Sequence, residues 1–510
     1  MTFLLVTAIC QLVVDYRNYH IAVDTTLHLN QPSEFPSVTI CHHQPFNKQA
    51  YEDWDKGKGY SPVKFQHDVN RVAKGYIAQK QTQLSTLLFY SATRDVYYQN
   101  LDYDMAKKIS HNSNIFYSCL RILDNYMSIE SNCDLLRGYK LRTYSTGTYF
   151  NCHTLTPEDP PAARNTSMLG LILDMGPVLN QTNSRQLFLN DVFEQAQGLR
   201  LVIHESDTMP NLAEDGLHIE PGKMNEISYQ PIKMKHLDTP KRPCHKEFDK
   251  TFFPYPDLDQ KFRYTQDICM KTVTQKKIIE NCKCIYYPNN GYPRSQMPGH
   301  GVPYCAKLTE NVKEFQDRIN CITKYIAERL DENECPPRCE KYEYESTVSV
   351  TKWFAFDWQL HWMEKFTKAV EDFDGKIEEK KESAVKVMLD FFSREDLTKD
   401  LDKQAKDIHF DKDGSNSFAY VRVKRKTNNT IKKSEKLVLS LPILLSRIGG
   451  LCSLTIGLTA AILVEIVEFL YLLHKNQKTA NSSPNDTDLI DGSPSQRDES
   501  KNGCVLVTTM

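Results

Sequence analysis

The stretch Gly449–Leu473, GGLCSLTIGLTAAILVEIVEFLYLL, constrains this chain more than any other. It reaches the ~20 mostly apolar residues that a membrane-spanning helix needs, and no other run in the sequence does. Yet Glu465 and Glu468 stand towards its far end. Taken in steps of three and four, Gly450, Ser453, Gly457, Ala461, Glu465 and Glu468 fall on one helical face. Leu451, Leu454, Leu458, Ile462, Ile466 and Phe469 cover the other sides. Charge at membrane depth is costly unless it faces water or a partner, so the stripe is expected to line a cavity. Two readings follow. A single-pass anchor would pack on a partner through its glycines, with both glutamates near the headgroups. A pore wall would use the small residues to let carbonyls and hydroxyls replace the water around a cation, while the acids concentrate cations at the inner mouth. One helix cannot enclose a pore, so the second reading requires an oligomer.

The chain opens with Thr2–Val14, TFLLVTAICQLVV, apolar but too short to span alone. A signal-peptide core has such a length. No positive residue precedes the run, however, and no small-x-small cleavage site follows before Asp15, so the end of a first transmembrane helix fits better. Between the two apolar ends lie twelve of the fifteen cysteines: Cys41, Cys119, Cys133, Cys152, Cys244, Cys269, Cys282, Cys284, Cys305, Cys321, Cys335 and Cys339. An even number there suggests disulfides and an oxidising compartment. The rival for Cys282-x-Cys284 with Cys335-x-x-x-Cys339 is a zinc site. Sequons at Asn165, Asn180 and Asn428 agree with an outside location. The excess of Lys and Arg before Gly449 points the other way, but that rule loses force for long translocated domains.

The expected organisation is therefore residues 1–15 as the end of a first transmembrane helix, 16–440 as an extracellular Cys-rich domain, 441–474 as the approach to and body of the second helix, and 475–510 as a disordered cytoplasmic tail. The middle reads as α+β. Strand patterns occur at Ser37–Cys41, Leu169–Leu173, Leu199–His204, Asn225–Lys233 and Phe418–Val423. Helical patterns occur at Val273–Glu280, Val312–Leu330 and Phe356–Phe373, and the charged stretch Lys376–Asp413 reads as a solvated helix or loop. A formal charge of −2 offers no case for nucleic acid. No catalytic motif and no phosphate-binding glycine loop is present, so neither an enzyme nor a cofactor is expected. The last residues, Val507–Met510, have the character of a PDZ-type ligand.

Several blocks carry a resemblance. Phe35-Pro-Ser-Val-Thr-Ile-Cys41, Gly198-Leu-Arg-Leu-Val-Ile-His204, Glu280-Asn-Cys-Lys-Cys284, Pro303-Tyr-Cys305 and Ile448-Gly-Gly450 occur in an order and spacing similar to the degenerin/epithelial sodium channel/acid-sensing channel family. The resemblance runs over nearly the whole chain. It implies two transmembrane helices around a disulfide-rich ectodomain built as a β-sheet palm and β-ball with helical finger, thumb and knuckle, assembled as a trimer. It implies a selectivity filter at Gly457, Leu458 and Thr459, with threonine where serine is usual. Gly450, Ser453, Ala461, Glu465 and Glu468 would line the pore, and Ser446 would hold the gating position near the amiloride site. Arg447 stands where acid-sensing relatives carry aspartate.

The resemblance also implies six disulfides: Cys41–Cys152, Cys119–Cys133, Cys244–Cys339, Cys269–Cys335, Cys282–Cys321 and Cys284–Cys305. A seventh thumb bridge of the family lacks both cysteines here. Acid-sensing members pair carboxylates of a finger loop with carboxylates of the thumb. Here the loop Glu205-Ser-Asp-Thr208 keeps Asp207 only, and the thumb positions are Thr323 and Ala327. Protons are thus not expected to gate through that pocket, and an extracellular ligand such as a peptide is preferred. The family's cytoplasmic N-terminus and the start of its first helix are not in this sequence. The function expected is a subunit of a homo- or heterotrimeric, amiloride-sensitive, sodium-selective channel of the plasma membrane, with membrane lipid and related subunits as partners. The alternatives are a membrane-anchored receptor or adhesion ectodomain without a pore, and a non-conducting modulatory subunit.

Overall fold

The computed structural model describes, in the main, residues 2–43, 115–158, 164–175, 198–245, 262–286, 303–307, 312–326, 334–353, 418–456 and 460–480. They fall into two compact units, Ile21–Lys436 and the chain ends Met1–His20 with Leu437–Met510. The expected helix at Phe356–Phe373, the stretch Lys376–Asp413 and the tail from residue 481 lie outside the described residues.

The larger unit is built on two sheets. The five-stranded one has the order β5 (Tyr139–Thr146), β6 (Phe150–Pro157), β2 (Ser37–His42), β8 (Leu199–His204) and β9 (Leu217–Ile219). Its central strand β2 is buried at every position, which explains its unbroken SVTIC character. Beside it, Cys41 and Cys152 are direct partners of the antiparallel β2–β6 ladder with Cα atoms 4.4 Å apart, a spacing a disulfide can close.

The eight-stranded sheet has the order β1 (Ile21–His28), β13 (Thr430–Leu437), β10 (Lys223–Lys235), β12 (Phe418–Arg425), β7 (Thr166–Asp174), β3 (Phe116–Leu123) and β4 (Met127–Glu130), with β11 (Glu340–Lys352) on the other edge of β10. β10 is antiparallel to β11 along its full length. On its opposite edge it runs parallel first to β12 over Met224–Tyr229, then to β13 over Ile232–Lys235. Pro231, which has no N–H for a ladder, stands where one parallel partner hands over to the other. The gap is closed by the 426–429 turn: Lys426 N–H donates to the Tyr229 carbonyl at 2.8 Å, and Gln230 Nε2 donates to the Asn429 carbonyl at 2.7 Å.

Both sheets feed one buried core, with Val38, Ile40, Leu155 and Leu201 from the smaller and Leu171, Ile227, Tyr229, Val421 and Val423 from the larger. Phe35 sits in it fully buried, edge-on to Tyr139 at 6.4 Å and to Tyr229 at 5.5 Å, an arrangement that suits ring quadrupoles. Arg121 is also buried, lying over the Tyr139 ring at 5.5 Å and donating through Nε to Thr166 Oγ1 at 3.0 Å. Burial pushes the Tyr139 phenol up to about 12.

Two helices pack against each other beside the sheets: α2 (Gln266–Cys282) and α3 (Val312–Ile326). α2 begins seven residues earlier than the periodic pattern suggests, because Thr265 caps it by accepting from Ile268 N–H. It ends at Lys283 in the left-handed conformation. The described part of α3 stops at Ile326, short of Leu330.

In the smaller unit, α1 (Thr2–Arg17) packs against α4 (Leu441–Ile456), and α5 (Ala460–Ala480) follows. Val438 N–H donates to the His20 carbonyl at 2.9 Å, tying the strand that leads into α4 to the end of α1. The apolar run from Gly449 to Leu473 is thus not carried by one continuous described helix. Among the described residues no helix is long and apolar enough to cross a membrane. α4 has 16 residues, ~24 Å at helical rise against ~30 Å of hydrocarbon, and the last turns of α5 are polar.

Candidate functional site

Two groups of residues were singled out by chemistry, one in each unit. The first is the stripe on α4 and α5. Ser446, Arg447, Gly450 and Ser453 are all exposed on α4, and Glu465 and Glu468 are exposed on α5. Ala461 lies on α5. Gly457, Leu458 and Thr459 lie outside the described residues. Among the described residues, a side chain added at Gly449 or Gly450 would meet nothing within 4 Å, so no described neighbour requires glycine there. A groove of 540 Å3 between α1 and α4 is lined by Ala8, Gln11, Leu12, Arg447, Gly450 and Leu451.

The second group surrounds the loop after β8. Glu205 is mostly buried and accepts both arms of the Arg338 guanidinium, at 2.8 and 3.1 Å. It also faces Arg263 at 3.7 Å and the Tyr342 N–H at 3.4 Å. Asp207 lies between Arg142 at 3.5 Å and Arg263 at 3.6 Å. Its backbone is left-handed, and its carbonyl accepts from Arg263 N–H at 2.7 Å. Arg263 precedes α2 and Arg338 precedes β11, so this one loop gathers the two ends of the segment that carries both helices.

Behind the loop, His204 is buried. Its Nδ1 lies 3.0 Å from the Glu205 carbonyl, which only accepts, so Nδ1 carries the proton. Its Nε2 then accepts from Thr39 Oγ1 at 2.8 Å, and Thr39 is in turn 2.7 Å from Thr154 Oγ1. Thr208 Oγ1 donates to the Glu205 carbonyl at 2.6 Å. Burial pulls His204 down to about 4. On the helical pair, Thr323 spends its hydroxyl on the Ile319 carbonyl at 2.9 Å, and Ala327 lies outside the described residues.

A cavity of 670 Å3 opens beside this loop, with Glu205, Thr208, Met209, Asp215, Arg338 and Tyr342 among its walls. Burial, then the carboxylates of Glu214, Asp267 and Glu343, raises Asp215 above the ordinary carboxylate range.

The twelve cysteines between the units' ends form six pairs: Cys41–Cys152, Cys119–Cys133, Cys244–Cys339, Cys269–Cys335, Cys282–Cys321 and Cys284–Cys305. With every thiol of Cys282, Cys284, Cys335 and Cys339 in a disulfide, none is left to ligate zinc. Among the described residues no cluster suited to a metal occurs. Asn165 and Asn428 are exposed, and Asn180 lies outside the described residues.

A family model, described as the amiloride-sensitive sodium channel, matches residues 1–469. The chain belongs to this family. Among curated relatives it is 22% identical over 387 residues to the FMRFamide-activated amiloride-sensitive sodium channel of Cornu aspersum, covering 70% of this chain and 57% of that one. It is 25% identical over 210 residues to the epithelial sodium channel subunit gamma-2 of Xenopus laevis, covering 40% and 29%. It is 25% identical over 231 residues to the human epithelial sodium channel subunit beta, covering 42% and 32%. The chain therefore spans 57% or less of the length of these relatives. The relatives are ion channels, not enzymes.

For a member of the amiloride-sensitive sodium channel family, sequence reasoning found the loop through Asp207 but missed its main carboxylate, Glu205. It also missed Arg142, Arg263 and Arg338. The separation of 133 residues between Glu205 and Arg338 leaves no local spacing to read. The only available signal was Arg338 standing inside Cys335–Cys339, next to a cysteine that had to return to the sheet.

Proposed function

We propose that this chain is one subunit of a trimeric, sodium-selective, amiloride-sensitive channel of the plasma membrane, opened by an extracellular peptide. Ile21–Lys436 lies outside the cell, the chain ends lie in or below the membrane, and the stripe of α4 and α5 from each of three subunits lines the pore. Gly457, Leu458 and Thr459 form its filter, Ser446 sits at the gate, and Glu465 and Glu468 draw cations to the inner mouth. The observation that carries the channel reading is the family match through residue 469, past both glutamates. The open space beside Gly450 supports it, since it leaves room for a neighbouring helix.

The arginine clasp favours a peptide over protons. Glu205 and Asp207 already face Arg338, Arg263 and Arg142, so neither needs a shared proton to approach another group. Thr323 offers no acid across the gap. The neighbouring cavity, rich in carboxylates, suits a cationic peptide, and one relative is named for activation by such a peptide. Arg447, exposed on α4 beside the stripe, favours a second reading in which the subunit modulates others and conducts only in their company.

Patch-clamp recording of cells expressing the chain, alone and with related subunits, tests this. Arg-Phe-amide peptides should evoke an amiloride-blocked current that vanishes when sodium is replaced by an impermeant cation, and acid steps alone should evoke little. A large transient current at mildly acidic pH would overturn the gating assignment. An absence of current in every combination would overturn the pore.

A further inference from the structure

Away from the loop after β8, the other end of the small sheet holds a chain of nitrogen atoms that the channel reading does not use. Arg200 on β8 lies with Nη1 2.6 Å from His218 Nε2. His218 on β9 lies with Nδ1 3.0 Å from Nε2 of His43, which directly follows β2. The two imidazoles are 8° from parallel with centroids 5.0 Å apart. The excess of centroid over nitrogen separation is about two ring radii, so the rings meet edge to edge, as an N–H···N hydrogen bond requires.

The direction of this chain is fixed from one end. A guanidinium only donates, so His218 Nε2 must accept. A neutral His218 then carries its proton on Nδ1 and donates it to His43 Nε2. Arg200 is itself held in place: its Nε donates to the Leu212 carbonyl at 2.9 Å. Gly216 leaves the space this needs, since a Cβ there would lie 2.0 Å from Arg200 Nε and 2.4 Å from the Leu212 oxygen. The end of β2 is tied to the same hairpin by His43 N–H on the Gly198 carbonyl at 3.1 Å.

We propose that Arg200, His218 and His43 form a proton-binding latch that closes the β8–β9 hairpin onto β2 when the pair is neutral and releases it when the pair takes up a proton. Each placement of a second proton sets donor against donor. On His43 Nε2 it meets the N–H of His218. On His218 Nε2 it meets the N–H of Arg200. Transfer of the shared proton within the pair only moves the conflict from one end to the other. The added charge also lies beside a permanent guanidinium.

Tyr149 meets the His43 ring edge-on at 6.1 Å. His42, next in the chain, stacks on His111 at 3.9 Å and bonds the Met175 carbonyl through Nε2 at 3.1 Å. Glu220 is the nearest carboxylate along β9 in sequence. Burial, then Arg200, lowers His218 from its ordinary value, in keeping with this arrangement.

The full chain, purified in detergent, provides the test by hydrogen–deuterium exchange of peptides covering residues 198–219, corrected for the intrinsic pH dependence of exchange. Between the ordinary histidine range and lower pH, protection of the hairpin should fall by up to about tenfold per pH unit, the limit for one proton taken up on opening. His218→Gln, at an exposed position, can accept from Arg200 or from a protonated His43 and should abolish the pH response. His218→Lys should loosen the hairpin already at neutral pH, while strands β10–β12 keep their protection. Constant protection of the wild-type hairpin, or an equal fall in His218→Gln, overturns the latch. His43→Gln gives an independent check: its carbonyl accepts from His218 Nδ1 while a proton on His218 Nε2 still meets the Arg200 N–H, so a pH response should remain, and its loss also overturns the latch.

Discussion

Glu205 receives two guanidinium groups and a backbone N–H while only a seventh of its side chain remains exposed, so its partners matter more than those of a surface pair. Truncating Arg338 to alanine leaves a largely buried carboxylate with a weaker set of donors. It should destabilise Ile21–Lys436 by about 3 kcal/mol. Arg164→Ala, which removes a pair to Glu34 more than half exposed on both sides, should cost at most about 0.5 kcal/mol. Chemical unfolding of the two variants side by side checks the difference. A second outcome concerns pH. His153 and His204 are both held near 4 by burial, whereas in the unfolded chain they titrate at the ordinary value. The unfolded state therefore takes up protons first. Stability should be full above about pH 6.5 and decline towards pH 4, by on the order of 3 kcal/mol for each histidine. Replacing His204 by glutamine should flatten part of that decline in a pH series of melting curves. At this scale the sequence was legible where chemistry is local. Asp207 could be picked out from its motif, but the two arginines that face it, Arg142 and Arg263, come from distant segments, and only the fold brings them together.

At the scale of elements, capping and cross-links decide. Thr265 starts α2 by its own side chain, and its replacement by alanine should cost about 1 kcal/mol, read from thermal unfolding. The hydroxyl was visible in the sequence, but it lies eight residues before the apolar periodicity begins at Val273, so the pattern alone placed the start too late. β11 was missed for a related reason. EKYEYESTVSVTK alternates with period two, placing Tyr342, Tyr344, Ser346, Val348 and Val350 on one face, but Ser346 interrupts that face, both valines are exposed and Glu and Lys crowd the first half, so the apolar signal is weak. The pairing of the cysteines was open to composition, which left zinc as a rival, and was indicated only through the resemblance. On α4, Gly450 offers a prediction that separates fold from assembly. Alanine meets no atom of the described residues there and should leave stability unchanged or raise it by up to about 1 kcal/mol. If the stripe meets neighbouring subunits, the same substitution should nonetheless reduce the current. Unfolding and patch-clamp data on one variant read the two effects apart.

For the molecule as a whole, the α+β character and the order of its blocks could be read from the sequence, because strands such as β2 and β7 are buried on both faces and leave continuous apolar runs. The bounds of the described helices α4 and α5 could not, since hydropathy reports how oily a stretch is and not where a helix begins or ends. Strand β10 has a further bearing. Both its edges are filled by strands that the ribosome delivers more than a hundred residues later, β11 from residue 340 and β12 with β13 from residue 418. Until then a thirteen-residue ribbon with its amides unclaimed has to wait, and it is the sort of edge that strangers pair with. Nascent chains should therefore depend on chaperone retention until synthesis is nearly complete. A nonsense codon after residue 235 and before residue 418 should yield clumped, quickly degraded product in pulse-chase labelling, not a shortened but soluble domain.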